Sequence, residues 1–173
     1  MRSTRPIASF VAGLALAGTA GLALAQAPAP APAAPSVPQY GNNVTHEQAR
    51  RAIAGAIAEA RRINVPMAVA VVDTAGNLVG FEKMDNTQTA SVFVAQDKAV
   101  SAAMYRRPTK VFQDGLAAAG AGLRILTLRH ASAVEGGIPL TEGGRIIGAI
   151  GVSGGSAEQD GVVAAGGVAA IGR

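Results

Sequence analysis

The order of helix and strand patterns predicts an α/β fold in which helices cover a mainly antiparallel sheet. An amphipathic helix pattern comes first and is followed by two strand patterns joined by a short turn. Two further helix patterns, a second pair of strand patterns and a last helix pattern complete the chain. Strands joined by tight turns pair antiparallel, so the two strand pairs predict two hairpins in one sheet.

Two helix starts are marked by local sequence. Thr45 and Gln48 have the spacing of a capping box, so the first helix is predicted to begin there. Apolar residues recur at helical spacing as far as Ile63, and Pro66 marks the end of this helix. The last helix is predicted to open at Ser156, where a glutamine again follows three residues later.

The strands have two different signatures. Residues 67–72 are an unbroken apolar run and predict a strand buried on both faces, with residues 78–83 as the returning strand. The second hairpin is predicted from residues 136–140 and 145–152, joined by a glycine turn at 142–144. Glycines inside the latter strand require close packing or a bulge.

The region between the hairpins is helical in pattern. A long helix is predicted over residues 89–105, with Phe93 and Met104 on its apolar face. Pro108 ends it, and Thr109 can cap a short helix that follows. The stretch 120–133 is undetermined, because residues 123–126 fit either a strand or a helical turn.

The first 25 residues have the order of a signal peptide. Two arginines at positions 2 and 5 precede an uncharged run, and Ala23-Leu24-Ala25 offers the small residues that a signal peptidase recognises. The alternative is an uncleaved anchor, since the run approaches the ~20 residues that span a bilayer. Its alanine and glycine content favours cleavage. We therefore expect a periplasmic or secreted protein that uses the general secretory route, with no stable membrane insertion after signal cleavage.

Residues 26–40, rich in alanine and proline, predict a spacer, and residues 41–173 the folded domain. Beyond the signal peptide the chain carries 13 basic and 11 acidic residues, a net charge of +2. So small a charge, without a basic stripe, argues against a nucleic-acid partner. The absence of cysteine excludes disulfides, Cys-ligated zinc and iron–sulfur clusters.

Three segments together resemble the GlcG/HbpS family of haem-binding-type domains, which also occur fused to some cobalamin adenosyltransferases. They are VAVVD (69–73) with GNL (76–78); MD (84–85) followed by Ser91 and KA (98–99); and GGIPL (136–140) through IGAIGVSGG (147–155) to QD (159–160). The resemblance implies a profilin-like α/β sandwich around a mainly antiparallel sheet of five strands, assembled into homo-oligomers. It also implies a site for haem or a related tetrapyrrole, with cobalamin as the second choice.

Four residues are candidates for such a site. Neutral imidazole ligates haem iron, so His130 is a candidate ligand; the alternative is an exposed or structural histidine. Arg106 and Arg107 could pair with haem propionates, or simply carry charge at a helix C-terminus. The resemblance associates a threonine near Thr109 with iron, and helix capping is the alternative for that residue. His46, the other histidine, is expected at the surface of the first helical turn.

Three functions follow as hypotheses. The first is an exported protein that binds haem or a similar tetrapyrrole for storage, sensing or relay. The second is an enzyme or accessory protein acting on a small organic acid or a corrinoid, with Asp85, Arg107 and Asp160 forming a pocket across a subunit boundary. The third is a structural oligomeric module without a ligand. Binding is favoured over catalysis because the sequence shows no paired acid and base, and ATP and nicotinamide cofactors are scarce outside the cytoplasm.

Overall fold

The computed structural model describes residues 37–172; the predicted signal peptide and the spacer as far as residue 36 lie outside this range. The order of elements agrees with the sequence prediction. They are α1 (His46–Arg62), β1 (Ala68–Asp73), β2 (Leu78–Lys83), α2 (Ser91–Tyr105), α3 (Lys110–Ala117), a 3-10 helix (Gly120–Thr127), β3 (Gly137–Glu142), β4 (Arg145–Ser153) and α4 (Ala157–Ile171). Of these helices, none is long and apolar enough to cross a membrane.

The sheet is antiparallel throughout, with the strand order β2-β1-β4-β3. Within residues 37–172 it has four strands, so the expectation of five is wrong. The undetermined stretch forms a 3-10 helix instead of a strand, since its backbone groups bond locally. Among the described residues, Tyr40 and Ile146 form an isolated parallel bridge outside these four strands.

β1 is buried on both faces, which explains its unbroken apolar sequence. Val69 and Val71 pack in a cluster with α1 and α4, whereas Ala68 and Ala70 pack with the alanines of α2. Helix α2 lies very close to strand β4 of the sheet. A Cβ atom at Gly151 of β4 would collide with the backbone of α2, so this position requires glycine.

Both predicted capping boxes are present. Thr45 Oγ1 accepts the Gln48 amide at 3.2 Å, and the Gln48 side chain accepts the Thr45 amide at 2.8 Å. Ser156 and Gln159 make the same reciprocal pair at 3.3 Å and 2.9 Å. These bonds join residues three apart, which is why the sequence alone predicts the two starts.

The predicted apolar face of α2 is partly wrong. Phe93 is 67% exposed and Met104 44% exposed, whereas Lys98 is fully buried. The reason is the close contact with the sheet, because the α2 backbone at Ala95 and Ala99 lies directly against Gly151. Phe93 and Met104 lie outside this contact, whereas the Lys98 side chain is buried against β4.

Candidate functional site

An open cavity of about 480 Å³ lies between α3 and the 3-10 helix. Its wall is mainly apolar and comes from both elements; the lining includes Val111, Phe112, Gly115, Ala121, Gly122, Ile125 and Leu128. Glycines allow the two elements to pack together, since a Cβ atom at Gly115 would lie 2.9 Å from the Ile125 side chain. A volume of this size is in the range of small-molecule and cofactor sites.

Two arginines, Arg107 and Arg124, line this cavity. The Arg107 Cζ lies 5.7 Å from the centre of the Phe112 ring, and its Nε donates to the Tyr105 carbonyl at 3.1 Å. The Phe112 ring meets the Tyr105 ring edge-on at 5.1 Å. Arg107 is thus oriented by an aromatic pair and a backbone acceptor, and the cavity combines an apolar wall with positive charge.

Arg106 points elsewhere, although it is next to Arg107 in sequence. It ends α2 with a left-handed backbone (φ 55°), which turns its side chain toward the N-terminal segment. Its Cζ lies 5.4 Å from the centre of the Tyr40 ring, and Nη1 donates to the Pro38 carbonyl at 3.5 Å. Arg106 is not among the residues that line the cavity.

Thr109 is fully buried beneath this region. Its Oγ1 accepts the Gly137 amide at 2.9 Å, and its own amide donates to the Gly137 carbonyl at 2.9 Å. Thr109 occupies the N-cap position of α3, as the alternative predicted, but its side chain makes no capping bond there. The assignment of Thr109 as an iron ligand stays a prediction.

His130 lies in an exposed loop that is fixed on both sides. The Tyr105 hydroxyl donates to the Arg129 carbonyl at 2.6 Å, and the Ser132 amide donates to Ser101 Oγ at 3.0 Å. Between these bonds His130 has a left-handed backbone (φ 59°), uncommon for a residue other than glycine. It lines a second cavity of about 350 Å³ together with Asp97. His130 as an iron ligand also stays a prediction.

The remaining candidates are dispersed. His46 is exposed at the start of α1, as expected. Asp85 is exposed after β2 and Asp160 is buried in α4, and neither lines the Arg107 cavity. In the described chain the pocket of Asp85, Arg107 and Asp160 is therefore not formed within one subunit.

Asp160 instead pairs with Lys98, a residue that the sequence analysis placed in a family segment but did not propose for a site. Lys98 Nζ donates to Asp160 Oδ2 at 2.6 Å, with 1% and 4% of the two side chains exposed. Burial raises the pKa of the Asp160 carboxyl, against the opposing effects of Lys98 and the Gly155 amide. The sequence did contain a signal for the burial of Lys98. Ala95 lies three residues before it and Ala102 four residues after it, so all three share one helix face. Arg124 was also missed, because it lies in the undetermined stretch.

Comparisons with known proteins agree with the motifs. Residues 44–169 match the family model described as "Haem degrading protein HbpS-like". Protein GlcG of Escherichia coli is 32% identical over 110 residues, which cover 64% of this chain and 81% of GlcG. A double mutant of HbpS from Streptomyces reticuli has a TM-score of 0.71 and 28% identity, covering 86% of this chain and all of that one. A PduOC:haem complex has a TM-score of 0.67 and 28% identity, covering 74% and 94% of the two chains. The chain therefore belongs to the HbpS-like family.

Proposed function

We propose that this protein is an exported haem-binding protein that stores, senses or relays haem, and that haem lies in the cavity between α3 and the 3-10 helix. One observation carries the proposal: a mainly apolar cavity of about 480 Å³ that has two arginines among its lining residues. Export rests on the predicted signal peptide, and relatives support haem as ligand, since one similar structure is a PduOC:haem complex.

The chemistry of the cavity fits the two parts of haem. The macrocycle is flat and apolar, and Phe112 and Ile125 provide apolar surface for it. The propionates are carboxylates, which guanidinium groups bind through charge-assisted hydrogen bonds, and Arg107 and Arg124 are the arginines that line the cavity. Bound haem would supply redox and ligand-binding chemistry at its iron. Thr109, buried beneath the cavity, and His130, two residues beyond the lining residue Leu128, remain the two candidates for the iron ligand.

The charge of the cavity favours haem over cobalamin. A corrinoid carries mostly neutral amide side chains, which gain less from a guanidinium group than a carboxylate does. Two arginines among the lining residues therefore favour a dianionic macrocycle. We also propose that several copies of the chain assemble, because the apolar side chains of Leu123 and Leu126 are 52% and 70% exposed beside the cavity.

The second candidate function is catalytic turnover of the same ligand. The matching family model is described as haem degrading, so bound haem could be a substrate instead of a stored ligand. The distinction is kinetic: a storage protein keeps the Soret band, whereas a degrading enzyme bleaches it when dioxygen and a reductant are both present.

Hemin titration of the chain without its signal peptide tests the proposal. We expect a saturable Soret shift, and a Kd about 10–100-fold higher for Arg107→Ala, the loss typical of one charge-assisted bond. Arg61→Ala, which removes an exposed arginine of α1, is the matched control and should leave the Kd unchanged. If hemin gives no saturable shift with the intact protein, the proposal is wrong and a structural module becomes the better reading.

A further inference from the structure

The ion pair of Lys98 and Asp160 connects three elements of the fold. Lys98 of α2 also donates to the Val152 carbonyl of β4 at 3.0 Å, and Asp160 of α4 accepts the Gly155 amide at 3.0 Å. A buried ion pair adds little net stability compared with apolar residues of the same size, because both charges lose their hydration. Such a pair can instead fix the positions of the backbone groups that pack around it.

Gly136 lies directly on this ion pair. A Cβ atom at Gly136 would be 2.7 Å from the Val152 oxygen, 2.8 Å from Asp160 Cβ and 3.0 Å from Lys98 Nζ. Its backbone has a φ of +124°, which favours glycine, and its carbonyl accepts the Val152 amide at 2.9 Å. The position of residues 136 and 137 is therefore set by the charged pair beneath them.

Helix α3 in turn rests on this segment. Gly137 and Thr109 exchange two hydrogen bonds of 2.9 Å, and the Glu135 amide donates to the Gln113 side chain at 2.8 Å. The Lys110 ammonium lies 4.0 Å from the Glu135 carboxylate. The same helix contributes Val111, Phe112 and Gly115 to the cavity wall.

We propose that Lys98 and Asp160 are positioning residues for the cavity: through Gly136 and Gly137 they hold α3 at the distance from the 3-10 helix that the ligand requires. Neither side chain lines the cavity. The inference rests on the proposed function where haem is the readout. Loss of the pair allows α3 to shift, which lowers haem affinity without removing any group that touches haem.

The test is the double variant Lys98→Met/Asp160→Asn, which removes both charges with little change in volume and keeps an oxygen for the Gly155 amide. The control is Glu59→Gln/Arg62→Met, which removes an exposed ion pair of the same 2.6 Å length on α1. We expect the first variant to unfold cooperatively in urea, with a hemin Kd raised at least about tenfold and a shifted Soret band. The control should stay within about twofold of the parent in Kd. A folded double variant with the parent Kd and Soret band overturns the inference.

Amide hydrogen exchange separates this inference from the proposed function. In the protein without hemin, we expect the amides of Phe112 and Gln113 to exchange faster in the double variant and not in the control. If the parent protein binds no hemin, the proposed function fails while the exchange result still decides the positioning role. If the double variant does not fold, Thr109→Val tests the connection instead, because it removes the hydrogen bond from the Gly137 amide to the Thr109 hydroxyl that joins β3 to α3. Unchanged exchange in α3 of that variant then overturns the inference.

Discussion

Thr109→Val tests the buried connection between α3 and β3 with almost no change of shape. Thr109 is fully buried, and its hydroxyl oxygen is 2.9 Å from the Gly137 amide, which is buried as well. Valine replaces this acceptor by a methyl group. The Gly137 N–H is then left without a partner, at a cost of about 1–3 kcal/mol, whereas the bond from the Thr109 amide to the Gly137 carbonyl remains.

Urea unfolding followed by circular dichroism measures this cost. With a slope of about 1–3 kcal/mol/M, a loss near ~2 kcal/mol lowers the midpoint by roughly 1 M, and the slope stays unchanged because the same surface is exposed. Thr109→Ser is the control, since it keeps the hydroxyl and loses one methyl group, costing about 0.5–1.5 kcal/mol. A valine variant at least as stable as the serine variant would refute the assignment of the hydroxyl as the acceptor of Gly137.

Three further predictions concern stability. Gly151→Ala places a methyl group against the α2 backbone, so thermal unfolding should show a loss of about 3 kcal/mol; an unchanged Tm contradicts the close contact. Ser156→Ala removes the acceptor of the Gln159 amide and should cost about 1 kcal/mol in urea, with Ser156→Thr as a control that recovers most of it. Partial burial opposes ionisation of Asp73, but hydrogen bonds led by Asn77 hold its pKa below the usual range. Its stabilising effect is therefore complete above about pH 4 and disappears as the pH falls through the lowered pKa. Urea midpoints should show Asp73→Asn less stable than the parent at pH 7, with the difference shrinking as the pH falls through the lowered pKa of Asp73. A difference that stays the same down to the acid end of the titration contradicts a stabilising role of the charge.

Local chemistry explains most of what could be predicted for the fold. Thr45 and Ser156 marked helix starts because a capping box is a contact between residues three apart. The first hairpin followed from an apolar run, a turn and a returning strand. The expectation of a fifth strand came from the family resemblance and is wrong for residues 37–172, and residues 120–127, part of the undetermined stretch, form a 3-10 helix. No sequence pattern within residues 120–127 distinguishes a strand from a helical turn.

The candidate site was likewise predictable only in part. Sequence alone identified Arg106 and Arg107 as a charged pair, but it could not show that one backbone angle directs Arg106 to Tyr40 and leaves Arg107 in the cavity. It also identified Asp160 without its partner. Lys98 is 62 residues away in the chain, and its burial depends on how α2 and α4 meet β4.

The sequence by itself determined the family, the helix starts, the two hairpins and the small residues at close contacts. Each of these depends on residues that lie close together in the chain. Only the tertiary structure decided the strand count, the exposed face of α2, the partner of Asp160 and the cavity that joins Arg107 to Arg124. Those features arise between residues that are distant in sequence, where the packing of whole elements sets which side chains meet.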